Sequence, residues 1–220
     1  MENDQTKNQM WFLVLVCGVL AVIFYLLHDI IGAANYPGYR WMEQAVSDLT
    51  ATDAPSFAVA SGYVTVYKIF TCMCCACLSI LVSKERKSLR AGIFLFAVMQ
   101  FISAVGYALF PLTGSGYDGS VQSFIHVYVL TILVVLLSIV SLIFIAIGSF
   151  KGKYRLLGTL AIVALAAMFF GAVGSQNVPK EYFGVVERFS TYSATLFTGI
   201  LAVYGFAKLK ETSYEKSSLN

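Results

Sequence analysis

Residues 122–148 read QSFIHVYVLTILVVLLSIVSLIFIAIG, and this run of 27 residues includes no Lys, Arg, Asp or Glu. At about 1.5 Å per residue, a helix of that length measures about 40 Å, which exceeds the thickness of a hydrocarbon core of about 30 Å. Its aliphatic residues lack the alternation of barrel strands, and a backbone inside a bilayer must satisfy its own hydrogen bonds. The stretch therefore predicts a membrane-spanning α-helix.

Five other stretches have the same character, and they predict helices over residues 11–33, 57–82, 91–112, 156–174 and 184–208. The mean hydropathy is +0.76 and 12% of the residues are charged, against about 25% in soluble domains. We therefore expect an all-α membrane protein, a six-transmembrane-helix bundle over residues 11–208, with an N-terminal tail at 1–10 and a C-terminal tail at 209–220. Small residues at 32–34 leave a cleaved signal peptide open, but an uncleaved first helix is the favoured interpretation because its apolar run is too long.

Positive charge is distributed unevenly between the segments that join these helices. With the N-terminus inside, the cytoplasmic segments hold eleven of the fifteen Lys and Arg residues, namely Lys7, Lys84, Arg86, Lys87, Arg90, Lys151, Lys153, Arg155, Lys208, Lys210 and Lys216. The outer segments hold Arg40, Lys180 and Arg188. The positive-inside rule thus predicts a multi-pass protein of the cell membrane with both termini cytoplasmic. A net charge of +3 placed in this way gives no indication of nucleic-acid binding.

The five cysteines are Cys17 in the first predicted helix and the group Cys72, Cys74, Cys75 and Cys77 in the second. Four thiolates on one continuous helix cannot converge on a metal ion, so we expect neither a metal site nor a cofactor there. Small polarizable residues that pack between helices or face lipid are the favoured interpretation, and acylation of a thiol near the inner interface is the alternative.

The longest loop, at 34–56, contains a turn signal at Pro37-Gly38. Beyond this turn, apolar residues recur at helical spacing, at Trp41, Met42, Ala45, Val46 and Leu49. This spacing predicts a short amphipathic helix in the first outer loop, lying in the membrane interface.

Several polar side chains are predicted to lie at one level near the outer surface. His28 is about 7 Å below the outer end of the first helix, and His126 is one turn into the fourth. The candidate ligand-binding residues are His28, Ser47, Asp48, Lys68, Asp118, His126, Glu187 and Arg188. Ionisable groups at this depth are costly unless they are paired or hydrated, which makes them candidates for function. A purely structural hydrogen-bond network of the same residues is the competing interpretation.

Lys68 lies deepest, about 16 Å into the second helix. Gln100 on the third helix lies at a similar depth, which allows a contact between the two side chains. Lys68 either extends toward an interface or meets a lipid headgroup or transported anion inside the bundle.

A series of short motifs resembles a known family. The motifs are Tyr36-Pro37-Gly38-Tyr39 with Ser47-Asp48-Leu49, then Phe110-Pro111 and His126, then Gly184 with Glu187-Arg188. Over residues 11–208 the chain resembles the bacterial membrane family catalogued as domain of unknown function 998. That family is distantly similar to the six-helix group that includes the damage-regulated autophagy modulators.

The resemblance implies the architecture and a shared outer site at Ser47, Asp48, His126, Glu187 and Arg188. It implies no particular activity. The family often has an acid soon after the Phe-Pro pair, whereas the next carboxylate in this chain is Asp118.

Three classes of function fit these residues. In the favoured one, the bundle binds a membrane lipid or other amphiphile in a pocket open to the outer leaflet, with Arg188 and Arg40 at the headgroup. In the second, a membrane-embedded hydrolase or transferase uses His126 as general base, oriented by Asp48 or Glu187, with Ser47 as nucleophile or substrate contact. In the third, His28 and His126 ligate haem.

The motifs of several other classes are missing from the chain. It has no P-loop, G-x-S-x-G or H-E-x-x-H sequence. Small residues at Ala167 and Gly171 permit close helix contact, either within the chain, in a homo-oligomer or with a membrane-protein partner.

Overall fold

The structure is a computed structural model that describes residues 2–217, with side chains described for residues 8–208. Its six long helices are α1 (Glu2–Ala34), α2 (Phe57–Leu81), α3 (Lys87–Leu109), α4 (Val121–Phe150), α5 (Arg155–Gly174) and α6 (Phe183–Ser217). Short 3₁₀ turns lie between them at Val46–Thr50, Val82–Lys84 and Lys180–Tyr182. The prediction of an all-α protein is confirmed for the described residues.

The helix bounds differ from the predicted ones mainly at the chain ends and at α3. Most of both predicted tails is helical: α1 starts at Glu2, within the tail 1–10, and α6 continues to Ser217, within the tail 209–220. The tail residues 1 and 218–220 lie outside the described residues. α3 ends at Leu109, not at residue 112, because Pro111 cannot donate a helical hydrogen bond and disfavours helical backbone at Phe110.

Five segments are long and apolar enough to cross a membrane: Asn8–Ala34, Phe57–Lys84, Lys87–Leu109, Val121–Phe150 and Arg155–Gly174. The chain is thus a helical protein of membrane type. α6 is not among the five segments. Its central turns carry hydroxyl side chains, which lower its hydropathy, at Ser190, Thr191, Ser193, Thr195 and Thr198.

Each helix packs against the next one in the chain, and α6 closes the ring by packing against α1. One end of this bundle carries the loops 35–56, 110–120 and 175–182 and is called the outer end below. The other end, with the loops at 82–86 and 151–154, is the inner end. A Cβ atom at Gly171 would lie 2.5 Å from the backbone nitrogen of Ser190, so the predicted close contact of Gly171 is formed within the chain, between α5 and α6.

The inner half of the bundle has an apolar core. Trp11, Phe96 and Phe197 are almost completely buried in it, and the rings of Phe96 and Phe197 meet edge to face with centroids 5.5 Å apart. Cys17 and the adjacent Cys74-Cys75 belong to the same core. Their burial confirms that these cysteines pack between helices.

The first outer loop corrects one prediction, because Trp41–Leu49 do not form an amphipathic α-helix. The backbone turns at 41–44 and then makes one 3₁₀ turn over Val46–Thr50. Asp48 is buried in that turn together with Val46 and Leu49, not exposed on a polar face. The physical reason is that groups other than the backbone of a continuous helix take the loop carbonyl oxygens: Gly184 N–H of α6 donates to Met42 O at 2.8 Å, and the Tyr39 hydroxyl, from within the loop, donates to Ala45 O at 2.9 Å.

Candidate functional site

Arg188 on α6 organises the outer half of the bundle, and its side chain is only 3% exposed. Its Nε and Nη2 donate to the two carboxylate oxygens of Asp29 on α1, each at 2.8 Å. The other bonds run from Nη1 to the carbonyl oxygens of Trp41 (2.9 Å), Gln44 (3.1 Å) and Gly184 (2.9 Å), and from Nη2 to the hydroxyl of Tyr39 (2.8 Å). All five guanidinium N–H groups therefore have acceptors within the protein.

These bonds form a clamp, defined here as Asp29, Tyr39, Arg188 and Tyr192. The Tyr192 hydroxyl donates to the same Asp29 carboxylate, and the Arg188 guanidinium carbon lies 4.5 Å from the centroid of the Trp41 ring. The clamp joins α1, α6 and the first outer loop at one point. In this arrangement Arg188 has no N–H left for a lipid headgroup, so its contacts are those of a positioning residue.

Three members of the clamp, Asp29, Tyr39 and Tyr192, were not among the residues predicted to form the site. Asp29 did carry a signal, since it is an acid beside His28 within an apolar helix. Tyr39 belongs to a quoted motif, and burial raises the pKa of its phenol. Tyr192 gave no signal, because tyrosines near a membrane surface are common.

Gly184 explains how the first outer loop approaches α6 so closely. A Cβ atom at this position would lie 2.3 Å from Gln44 O and 2.5 Å from Trp41 O. Both carbonyls are acceptors of Arg188, so a larger residue at Gly184 would move them away from the guanidinium.

Asp48 connects the first outer loop to the loop between α3 and α4. Its side chain is 3% exposed and accepts a 2.6 Å hydrogen bond from the Ser115 hydroxyl. Two backbone bonds join the same loops, from Thr52 N–H to Leu112 O at 2.8 Å and from Asp53 N–H to Thr113 O at 3.0 Å. Burial raises the pKa of Asp48, and the Ser115 hydrogen bond opposes that rise.

Two predicted site residues lie apart from these buried groups. Asp118 is exposed and accepts from Ser120 N–H at 2.9 Å and from the Ser123 hydroxyl. Hydrogen bonds from Ser123 and Ser120 lower the pKa of Asp118 to about 2, which is the behaviour of a local cap at the start of α4. Ser47 is half-buried, and its carbonyl accepts from the Thr50 hydroxyl at 3.1 Å.

His126 lies in a π-helical turn, Ile125–Leu130, near the start of α4, and such turns are frequent at functional sites. Its Nδ1 is 2.6 Å from the carbonyl oxygen of Phe110, which is free because α3 has already ended. A carbonyl can only accept, so Nδ1 carries the proton and Nε2 is left as an acceptor. The ring packs on Tyr107 with centroids 4.6 Å apart. The predicted orientation of His126 by Asp48 or Glu187 is thus corrected: the Phe110 carbonyl orients it.

His28 is 2% exposed, and neither of its ring nitrogens has a hydrogen-bond partner within the described part of the chain. Its ring packs beside Tyr25 with centroids 5.7 Å apart. An unpaired buried polar group costs about 1–3 kcal/mol, so this imidazole calls for a further binding partner.

Lys68 is half-buried, and no hydrogen bond or ion pair joins its ammonium to the described residues. The contact with Gln100 is not formed, because the Gln100 amide donates to the Thr198 hydroxyl at 2.8 Å. Side chains lean toward the N-terminus of their helix, which is the outer end of α2, so the ammonium rises toward the level of the histidines. It lies close enough to His28 and His126 to act on both electrostatically.

Glu187 is half-buried on the first turns of α6. Its Oε2 accepts one long hydrogen bond, 3.4 Å from the backbone nitrogen of Val46. The neighbouring Arg188 does not pair with it, since the guanidinium is directed at Asp29. Tyr25 and Tyr107, the ring partners of His28 and His126, both lie within electrostatic range of this carboxylate.

The polar residues of the outer half therefore fall into two kinds. The clamp and Asp48 have their donors and acceptors matched within the protein. A second set, called the open group below, retains donors, acceptors or charge that no described residue matches: His28, Lys68, His126 and Glu187. Within residues 8–208, no three His, Cys, Asp or Glu side chains are placed to hold a metal ion. Haem ligation by His28 and His126 stays a prediction.

A family model described as "Protein of unknown function (DUF998)" matches residues 19–204. The chain belongs to this family. The match covers the clamp and the open group and confirms the resemblance seen in the motifs, while the wider similarity to the autophagy modulator group stays a prediction. No curated protein and no solved structure matches the chain.

The motifs that carried the resemblance have distinct structural roles in this DUF998 protein. Tyr39, Gly184 and Arg188 build and seat the clamp. Phe110 supplies the carbonyl that orients His126. Two of the motif residues, His126 and Glu187, belong to the open group, and the others hold the surrounding helices and loops in position.

Proposed function

We propose that this DUF998 protein binds a membrane lipid or other amphiphile in the outer half of its bundle, with the headgroup among the open group. The observation that supports this proposal most is the buried imidazole of His28: within the described residues both of its nitrogens lack a partner, and the Lys68 ammonium, which acts on it electrostatically, has none either. Such groups are expensive in a low-dielectric interior. A headgroup that brings acceptors and charge would remove that cost.

The remaining polar groups complement a headgroup as well. Lys68 offers three donors and a positive charge, and Nε2 of His126 offers an acceptor. Large apolar residues at this level of α3 and α4 are exposed, among them Phe101, Leu109 and Val121. Acyl chains lying along them would be continuous with the surrounding leaflet.

The proposal includes six membrane spans. α6 runs antiparallel to α1 from end to end: Arg188 meets Asp29, Gly199 faces Val22, Ala202 faces Gly18 and Gly205 faces Trp11. α1 is apolar enough to span a membrane by itself. Because α6 packs along the whole length of α1, we expect it to cross the same thickness of the membrane. Its hydroxyl groups can face other helices and not lipid, as the hydrogen bond from Gln100 to Thr198 illustrates.

The proposed location is the cell membrane, with both termini cytoplasmic. The distribution of Lys and Arg supports this orientation. The ion pair between Lys208 of α6 and Glu85 brings this part of α6 beside the α2–α3 loop, at the inner end. A fluorescent protein fused at residue 220 should therefore fold and fluoresce, whereas a periplasmic reporter at the same place should stay inactive.

Native mass spectrometry of the gently solubilised full chain tests the binding proposal. The wild-type protein should retain an adduct of lipid-like mass, and Lys68→Met should reduce its occupancy about tenfold or more, because a charge-assisted hydrogen bond is lost. Lys180→Met, on the outer 3₁₀ turn, is the matched control and should retain the adduct. Wild-type protein free of any adduct, also after incubation with lipid, would overturn the proposal.

A membrane-embedded hydrolase or transferase is the second candidate, and the tautomer of His126 favours it. With Nδ1 donating to Phe110 O, Nε2 is the basic nitrogen that general-base chemistry requires. The distinguishing variant is His126→Gln, incubated with the lipid class found in the adduct. Loss of product with retained binding would support catalysis, whereas an unchanged lipid mass after incubation with wild-type protein would exclude turnover of that lipid.

A further inference from the structure

We infer that the ligand has a zwitterionic headgroup, whose anionic phosphate or carboxylate meets Lys68 and whose ammonium meets Glu187. This inference rests on the proposed function and names the chemical class of its ligand. It follows from two half-buried side chains of opposite charge, neither of which forms an ion pair with the described residues.

The anion-binding side consists of Lys68 and the buried His28. The ammonium has no partner within the described residues, and the imidazole has two unpaired nitrogens. In its neutral form His28 can donate one N–H to an anionic oxygen. A phosphate or carboxylate would satisfy both side chains at once.

The cation-binding side is Glu187. An ionised carboxylate has about four acceptor positions, and among the described residues only the long bond from Val46 N–H uses one. Arg188 would be the natural counter-ion, but its five N–H groups are all directed at other acceptors. A primary ammonium carries three donors and a positive charge, which is the complement that Glu187 lacks.

The two sides lie in the same outer half of the bundle, and no ion pair joins Lys68 to Glu187 within the described residues. The ring of Tyr25 contacts His28 on the anion-binding side, and it also meets the ring of Tyr192, which follows Glu187 on α6, each with centroids 5.7 Å apart. A purely anionic headgroup would leave Glu187 unpaired beside it, and a purely cationic one would leave Lys68 unpaired. Charge complementarity of this kind selects between ligands more than it adds affinity.

Two lipids with identical acyl chains test the inference: phosphatidylethanolamine, which is zwitterionic, and phosphatidylglycerol, which is anionic. Titrated into the full chain in detergent and followed by native mass spectrometry, the ethanolamine lipid should bind about tenfold or more tighter. Glu187→Gln should abolish that preference, since its amide oxygen still accepts from Val46 N–H but has no charge. Glu181→Gln, on the exposed outer turn, is the matched control and should keep the preference.

A change in the ligand provides the same test without a variant. Phosphatidylethanolamine acetylated on its nitrogen has lost the positive charge, and wild-type protein should bind it no better than phosphatidylglycerol. Equal wild-type affinity for all three lipids would overturn the zwitterion inference and leave amphiphile binding standing. Binding of none of them would overturn both proposals.

Free phosphoethanolamine separates the two sources of the same headgroup chemistry. If it competes with the ethanolamine lipid only at concentrations about a thousandfold higher, the ligand is the lipid. If it binds as tightly as the lipid does, the zwitterion inference holds and the acyl-chain part of the proposed function is overturned.

Discussion

The inner and outer halves of this bundle are built by different means. In the inner half, the core is apolar and is held by van der Waals packing of side chains such as Trp11, Phe96 and Phe197. In the outer half, Asp29 and Arg188 are equally buried but are held by directed hydrogen bonds. Apolar packing tolerates exchange of similar side chains, whereas a buried ion pair tolerates loss of neither member. The outer half therefore has the chemistry to hold a polar ligand in a fixed place.

The chain contains a natural reporter for each half, since it has two tryptophans. Trp11 is buried in the inner core, and Trp41 stacks on the Arg188 guanidinium. The variants Trp41→Phe and Trp11→Phe each leave one emitter. Thermal scans of the two in detergent follow the inner and outer halves separately.

The largest effect is expected from breaking the clamp. Asp29→Leu or Arg188→Met leaves one buried charge without its partner, which costs about 3–5 kcal/mol. The Trp41 signal should melt well before the Trp11 signal in either variant, because the lost contacts all lie in the outer half. Arg40→Met is the control: its pairing with Glu43 is at the surface and is worth about 0–1 kcal/mol.

The double variant sharpens that comparison. Asp29→Leu combined with Arg188→Met removes both charges, so it should be more stable than the less stable single variant. Additive losses would contradict the view that the two residues act as one pair. Equal early melting of Trp11 and Trp41 would contradict the separation into two halves.

A somewhat smaller loss is expected from a cavity in the inner core. Phe96→Ala removes a ring that meets Phe197 and should cost about 3 kcal/mol, near the low end for such changes because lipid is itself apolar. The Trp11 signal should move to lower temperature while ethanolamine-lipid binding at the open group stays within about twofold of wild type. If Phe96→Ala instead weakened ethanolamine-lipid binding and left the Trp11 transition unchanged, the separation into two independent halves would be contradicted.

The inner half and the helices were largely predictable from sequence, because hydropathy depends on residues that are near in the chain. The run at 122–148, for example, lies within the observed α4 (Val121–Phe150). The clamp was not predictable, since Arg188 and Asp29 are 159 residues apart and no periodicity links them. The 3₁₀ turn at Val46–Thr50 was missed for a similar reason. The apolar residues before and within it do have helical spacing, but Tyr39 and α6 donate hydrogen bonds to the loop carbonyls that a continuous helix would need.

The candidate site was predicted in part. Depth along each helix placed His28, His126 and Glu187 near one level, as a simple rise per residue allows. Depth along a helix does not show which way a side chain points, so it could not predict that Arg188 is fully paired while Lys68 has no partner among the described residues. Nor does it report the end of α3, which frees the Phe110 carbonyl for His126.

An effect of about 1 kcal/mol is expected at the boundary between the halves. There Gln100 on α3 donates to Thr198 on α6, and the Thr71 hydroxyl on α2 donates to the same oxygen at 3.4 Å. Interhelical hydrogen bonds in membranes contribute about 0.6–1.7 kcal/mol, so Gln100→Leu should lower both tryptophan transitions slightly and together. A double-mutant cycle with Thr198→Val should give a coupling of the same size, and zero coupling would contradict a direct bond.

The smallest effect, and the one specific to the outer loops, is a pH dependence from Asp48. Burial raises the pKa of its carboxyl in the folded protein above the ordinary value of about 3.9. Between the ordinary and the raised pKa the folded protein keeps a proton that the unfolded chain has released. Stability from this group therefore falls as pH rises through that window and is constant above it.

Asp48→Asn isolates this contribution, because its amide is neutral at every pH and still accepts from the Ser115 hydroxyl. The stability of wild type relative to Asp48→Asn, read from the Trp41 transition, should decline with rising pH by less than about 1.4 kcal/mol per pH unit. The Trp11 transition should show a smaller difference, since the Asp48 carboxylate is hydrogen-bonded to Ser115 in an outer loop, far from the inner core. A wild-type protein that gains stability over Asp48→Asn as pH rises would mean that the carboxylate form is the one the folded loops prefer. The pairing with Ser115 would then outweigh the cost of burying the charge.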